Sequence, residues 1–155
     1  MTSDTATALP SYLERIRRFP AIRDRDDIDV IEATPWESLE LPDSTLELIQ
    51  ISASRRPDAT ALRFVMDATA QQQEQRYTYA EFLARVVQAA NAFHGIGVGA
   101  DSVVSFLLPS LPQTHFTLWG GEAAGVVNPI NPMLEPGHIA GIMNAAGTRV
   151  LVALA

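Results

Sequence analysis

The chain has 155 residues, 18 acidic and 11 basic groups, a formal net charge of -7, and no cysteine. That balance excludes the basic footprint that nucleic-acid phosphates demand, and it excludes disulfide frameworks and thiolate metal sites. The first residues lack the basic start and apolar run of a secretory signal, so a cytoplasmic location is expected.

Residues 1–42 hold nine of the eighteen acidic groups and place Pro10, Pro20, Pro35 and Pro42 at intervals too short for long elements. They read as an N-terminal extension. Ser11 to Phe19 can form a short amphipathic helix with Tyr12, Leu13, Ile16 and Phe19 on one side, ended by Pro20. Its mixed charges, with Arg15, Arg17 and Arg18 on a solvated face, suit a strap on the main body better than a membrane-surface helix.

From Asp43 the pattern becomes regular. Asp43 or Ser44 is placed to cap a helix whose Leu46, Ile49 and Ile51 to Ala53 face inward, closed by Arg56-Pro57-Asp58. Ala61 to Met66 reads as a strand, Asp67 to Gln75 as a loop, and Arg76 to Tyr79 as the hairpin partner.

Element types then alternate: helix Tyr79 to Phe93, strand Val103 to Leu108, helix Leu111 to Ala124, strand Val126 to Ile130, helix Glu135 to Ala145, and strand Arg149 to Ala153. Alternation at this spacing predicts crossover units and a mostly parallel sheet flanked by helices, an α/β fold. The first helix carries Leu83, Val86, Ala90 and Phe93 on one stripe, and Ser110 with Pro112 suits the start of the second. The twenty residues between Asp101 and Glu122 include no Asp, Glu, Lys or Arg. Pro109 and Pro112 interrupt that run, so a buried strand followed by a buried helix is expected there rather than a transmembrane segment.

Several motifs fall away on inspection. Gly95-Ile-Gly-Val-Gly99 follows a helix and opens a strand, the reverse of a dinucleotide-binding loop, and reads as a helix cap and turn. His94, His115 and His138 show no metal-ligand spacing, and no metal site is expected. Ser105 lies inside a strand without the tight turn a nucleophile needs, so no catalytic residue is assigned. Pro109-Ser-Leu-Pro112 fits a helix start better than a peptide ligand, and Phe116, Leu118 and Trp119 read as packing, with an acyl-chain wall as the functional alternative.

Two segments carry a resemblance. Tyr77-Thr-Tyr-Ala-Glu-Phe-Leu83 enters its helix through a capping box, in which Thr78 accepts from the Glu81 amide while the Glu81 carboxylate reaches back. Glu122-Ala-Ala-Gly-Val-Val-Asn-Pro-Ile-Asn-Pro132 ends a helix on glycine, runs a short strand, and stops it with two Asn-Pro pairs. In this order they resemble the N-terminal part of adenylate-forming (AMP-binding) enzymes, over roughly Asp43 to Ala155. Asn128-Pro-Ile-Asn-Pro132 is more similar to acyl-CoA synthetases and fatty-acid–CoA ligases than to peptide-synthetase adenylation domains, which typically show Val-Pro-Leu-Asp-Pro.

The resemblance implies a parent that uses ATP, Mg²⁺ and CoA to convert a carboxylate to its acyl-CoA through an acyl-adenylate. It also implies a Ser/Thr/Gly-rich phosphate-gripping loop closed by Pro-Lys-Gly, which would follow a strand like Arg149 to Ala153. All 11 basic residues here are arginine, so neither a phosphate-loop lysine nor an adenylation lysine is present. The chain is therefore expected to be an inactive fragment, 43–155 being an AMP-binding domain truncated before that loop, with no ligand bound to the chain alone. Its partner would be the remainder of the parent polypeptide.

Loops at the carboxyl ends of parallel strands line ligand crevices, which makes Asn131, Pro132 and Met133 the candidate contact. In similar acyl-CoA synthetases this corner lies near the CoA pantetheine arm. The alternative is structural, with prolines fixing a strand exit and Asn131 bonding its own backbone. Tyr77 to Ala155 holds six formal charges in 79 residues, about 8% against roughly 25% for ordinary domains. Such a segment expects cover, from the rest of its parent or by self-association. A stand-alone α/β binding module, or part of an amino-acid adenylation domain, remain the other readings.

Overall fold

The computed structural model describes residues 19, 21–66 and 74–154. The 11–18 part of the helix expected over 11–19, and the 67–73 part of the expected loop, lie outside the described residues. Backbone contacts divide the chain into two units, Met1–Ser44 and Thr45–Ala155.

In the first unit, α1 (Arg25–Glu32) precedes a 3₁₀ turn at Trp36–Leu39. The proline spacing had concealed this helix, although its start signal is local. Asp24 is extended and accepts from the Asp27 amide at 3.2 Å, and Asp26 and Asp27 occupy the first turn, where the helix dipole favours anions. Arg23–Asp27 and Arg25–Asp29 pairs, both at 3.2 Å, brace it; exposed pairs of this kind contribute about 0–1 kcal/mol each.

The second unit runs α2 (Thr45–Arg55), β1 (Thr60–Val65), β2 (Glu74–Thr78), α3 (Tyr79–Gly95), β3 (Val103–Leu107), α4 (Pro112–Ala124), β4 (Val126–Pro129), α5 (Pro136–Ala146) and β5 (Thr148–Ala153). β1 and β2 form the expected antiparallel hairpin, and β4-β3-β5 form a parallel sheet with β3 at its centre. The α/β architecture read from the alternating pattern is the one observed.

Helix α3 begins as its sequence predicts. The Glu81 amide donates to Thr78 Oγ1 at 3.2 Å, and the Glu81 carboxylate accepts from the Thr78 amide at 2.8 Å. Val86, Ala90 and Phe93 are buried along one stripe. At its other end the Val98 amide reaches back to the Phe93 carbonyl at 3.0 Å and the Gly97 amide to that of His94 at 2.9 Å. This is a Schellman cap, and it requires the left-handed φ of 84° that Gly97 adopts. Val98 then packs with Phe93, Val104 and Ala124 in the core, against which Ala89, Val150 and Val152 close. Burying a side chain such as Val104 or Phe93 contributes about 1.5–3 kcal/mol.

Two adjacent glycines let α4 fit between α3 and the sheet. A Cβ on Gly120 would lie 2.6 Å from Ala89 Cβ and 2.8 Å from the Val86 carbonyl oxygen, while one on Gly121 would lie 2.6 Å from Val127 Cγ1. Ser110 does not cap α4. Leu111 occupies the cap position and Pro112 is fully buried in the first turn. Thr114, reaching back from inside the helix, accepts from the Leu111 amide at 3.4 Å and donates to the Pro109 carbonyl.

The sheet's other face is less covered. Leu151 is 44% and Val126 48% exposed, and α5 contributes no buried residue.

Candidate functional site

The chain leaves β3 for β4 on one side and passes from β4 to β5 on the other. These connections diverge at the boundary between β3 and β5, the switch point beside which open parallel sheets bind ligands outside their carboxyl ends. Residues 108–111 and 154 follow the two strands there. The predicted corner, Asn131-Pro132-Met133, follows β4 and so lies one strand over, on the same carboxyl edge.

That corner is built as a turn. Ile130 is buried and its amide donates to the Phe106 carbonyl at 3.0 Å, tying the strand exit to β3. Asn131 Oδ1 accepts from the Met133 amide at 2.9 Å, and the Asn131 carbonyl accepts from the Leu134 amide at 3.3 Å. Pro132 supplies the preset φ that the first turn position favours. The carboxamide oxygen of Asn131 is thus engaged by its own backbone, while Met133, 87% exposed, projects an apolar thioether from the edge. Glu135 is the one acidic or basic side chain in the 108–111 and 130–135 loops. Those loops therefore offer no cation for a phosphate.

Beneath the edge, a polar cluster joins the three parallel strands. Ser105 of β3 is completely buried; its hydroxyl shares a 2.6 Å hydrogen bond with Thr148 of β5 and accepts from Asn128 Nδ2 of β4 at 3.0 Å. Sequence reading excluded Ser105 as a nucleophile without finding this role. The signal was a serine inside an apolar strand, but its partners depend on cross-strand register, including the irregularity between Val103 and Val104. The cluster satisfies every group it buries and fixes the register of all three strands.

The remaining candidates disperse. His94 and His138 are exposed on α3 and α5, His115 is half-buried on α4, and among the described residues no group of three or more His, Cys, Asp or Glu could hold a metal ion. Phe116 packs edge-on against Tyr77, with centroids 5.2 Å apart, and tilted against Phe82 at 5.9 Å. Two carboxylates are made more acidic elsewhere in the unit. Hydrogen bonds from Arg76, with the charge of Arg63, hold Glu74 below the ordinary carboxylate range, and the Thr78 amide and hydroxyl do the same for Glu81. Among the described residues no helix is long and apolar enough to cross a membrane.

A helix-flanked parallel sheet that exits β4 through Asn-Pro-Ile-Asn-Pro defines an α/β scaffold. Residues 49–155 match the family described as AMP-binding enzyme. Marinolic acid–CoA ligase of Pseudoalteromonas sp. (strain SANK 73390) is 34% identical over 151 residues, which cover 94% of this chain and 23% of that protein. Among solved structures, Mycobacterium tuberculosis fatty acyl CoA synthetase superimposes with a TM-score of 0.61 at 20% identity, over 70% of this chain and 20% of that one. The artificially fused NpsA-ThdA adenylation–PCP di-domain of Klebsiella oxytoca gives 0.61 at 19%, over 70% and 19%. The chain belongs to the AMP-binding enzyme family, and it spans about a quarter of the length of the CoA ligase it matches.

Proposed function

We propose that this chain is the opening portion of an AMP-forming acyl-CoA ligase and that, taken alone, it turns over no substrate. The observation that carries the reading is the 34% identity to a CoA ligase across 94% of the chain. In the whole enzyme a carboxylate would attack the α-phosphate of ATP, releasing pyrophosphate, and the acyl group would then pass from AMP to the CoA thiol. Mg²⁺ and cationic groups stabilise the phosphate charge in such a step. The residues here do not fit that task, since lysine is absent and the 108–111 and 130–135 loops contain no arginine. What they fit is a wall, with Met133 exposed beside the path of the CoA arm and the turn around Asn131 holding it in place.

The test is to express the complete reading frame that contains this chain and to identify its product from ATP, Mg²⁺, CoA and a panel of fatty and aryl acids by mass spectrometry. Acyl-CoA and AMP are expected. Adenylation of amino acids without transfer to CoA would favour the amino-acid adenylation reading, which the Klebsiella neighbour supports only at the level of fold. A reading frame that codes for no phosphate-gripping loop would favour a binding module.

A further inference from the structure

The two Asn-Pro pairs that close β4 make a stiff lever between the sheet and its carboxyl edge. Proline locks φ at Pro129 and Pro132, and the residue before a proline is held to extended backbone, which removes the helical region for Asn128 and Asn131. Of the residues from Asn128 to Pro132, Ile130 alone escapes both restrictions, and it is buried with its amide bonded to the Phe106 carbonyl at 3.0 Å. A displacement at Asn128 is therefore carried on to Met133 rather than absorbed between them.

Asn128 is the end of the lever that the sheet grips. It stands opposite Ser105 in the β3–β4 register, and its Nδ2 donates to Ser105 Oγ at 3.0 Å. Ser105 is fully buried and its hydroxyl has one hydrogen, for which Thr148 Oγ1 of β5 is the acceptor at 2.6 Å once the oxygen is engaged by Asn128. The far end of the lever is shaped by the second asparagine, whose Oδ1 accepts from the Met133 amide at 2.9 Å. One carboxamide thus ties the strand exit to the sheet, and the next holds the turn that presents Met133.

We propose that Ser105 is a positioning residue which, through Asn128, sets the orientation of the Asn131-Pro132-Met133 corner; the consequence for CoA rests on the ligase reading. Amide hydrogen exchange on the 155-residue chain tests the mechanical part. Ser105→Ala and Asn128→Leu each remove the bond between these side chains, and each should speed exchange at the Ile130 and Met133 amides by at least about tenfold through local opening. The Val126 and Val98 amides, bonded to the Ser102 and Phe93 carbonyls outside the lever, should keep their rates, whereas a general loss of stability would speed all four by one factor. Thr148→Ser, which retains the acceptor hydroxyl, should keep the native pattern. In the product of the complete reading frame, Ser105→Ala should raise the KM for CoA at least about threefold, with single-turnover pyrophosphate release in the absence of CoA unchanged. No pyrophosphate from the unaltered product would remove the ligase reading and leave the exchange result standing. The inference is overturned by unchanged exchange at Ile130 or Met133, by one common factor at all four amides, by the Ser105→Ala pattern in Thr148→Ser, or by an unchanged KM for CoA in an active ligase.

Discussion

Thr78 stands where β2 becomes α3, and its single hydroxyl satisfies a helix donor that no backbone group can reach. Thr78→Ala should destabilise the chain by about 0.5–2 kcal/mol, whereas Thr78→Ser, which keeps the acceptor, should cost much less; chemical denaturation of the two variants measures the difference. The reciprocal partner adds a pH dependence of known sign. Donation from the Thr78 amide first, and its hydroxyl second, lowers the Glu81 pKa in the folded state. The stabilisation is therefore present above the ordinary carboxylate pKa and is lost as pH falls through the lowered folded value. Glu81→Gln should flatten that part of the acid limb of a stability–pH curve, and an unchanged limb would remove Glu81 from the account.

At the scale of elements, glycines of identical chemistry should respond to alanine with opposite signs. Gly120→Ala forces a methyl to within 2.6 Å of Ala89 Cβ and 2.8 Å of a carbonyl oxygen, both on α3. Overpacking costs about 1–3 kcal/mol, which the helix propensity of alanine, up to about 1 kcal/mol, offsets only in part. Gly141 lies in α5 with nothing within 4 Å of its virtual Cβ. Gly141→Ala should raise stability by about 0.4–1 kcal/mol, and thermal melts of the pair would reveal whether α4 is as tightly wedged as the structure has it. The elements themselves were legible because Leu83, Val86, Ala90 and Phe93 fall on one helical stripe and because short apolar strands alternate with helices. Helix α1 was not, since its eight residues bury none of their side chains, leaving the Asp24 cap as its main signal. The Ser105–Asn128–Thr148 cluster was illegible for a different reason: three separate strands supply it, and only their register brings it together. The Asn131 corner was legible as a place and as a turn, but its position one strand from the switch point required the strand order.

On the scale of the molecule, low charge meets an incompletely covered sheet. Val126, Leu151 and Leu154 are 48%, 44% and 61% exposed, and Ile142 of α5 is 38% exposed. Monomers rarely carry contiguous apolar patches beyond a few hundred Å². The isolated chain is therefore expected to self-associate through its low-charge second unit, where Val126 of the Val103 to Ile130 region adjoins the sheet face that also exposes Leu151, rather than through the acidic first forty-two residues, with a two-fold dimer as the simplest closed form. Sedimentation at tens of micromolar should show the larger species, and a purely monomeric boundary without enhanced binding of a hydrophobic dye would mean that the chain covers its own core. On the proposed function, this family member supplies scaffold and wall to an acyl-CoA ligase while the phosphate chemistry resides in residues it does not contain. Carboxylate-dependent pyrophosphate release, measured side by side for the 155-residue chain and for the product of its complete reading frame with ATP, Mg²⁺, CoA and fatty acids, tests this most directly. The account predicts release by the complete product and none above the protein-free blank by the chain alone; turnover by the chain alone, or none by the complete product, would contradict it.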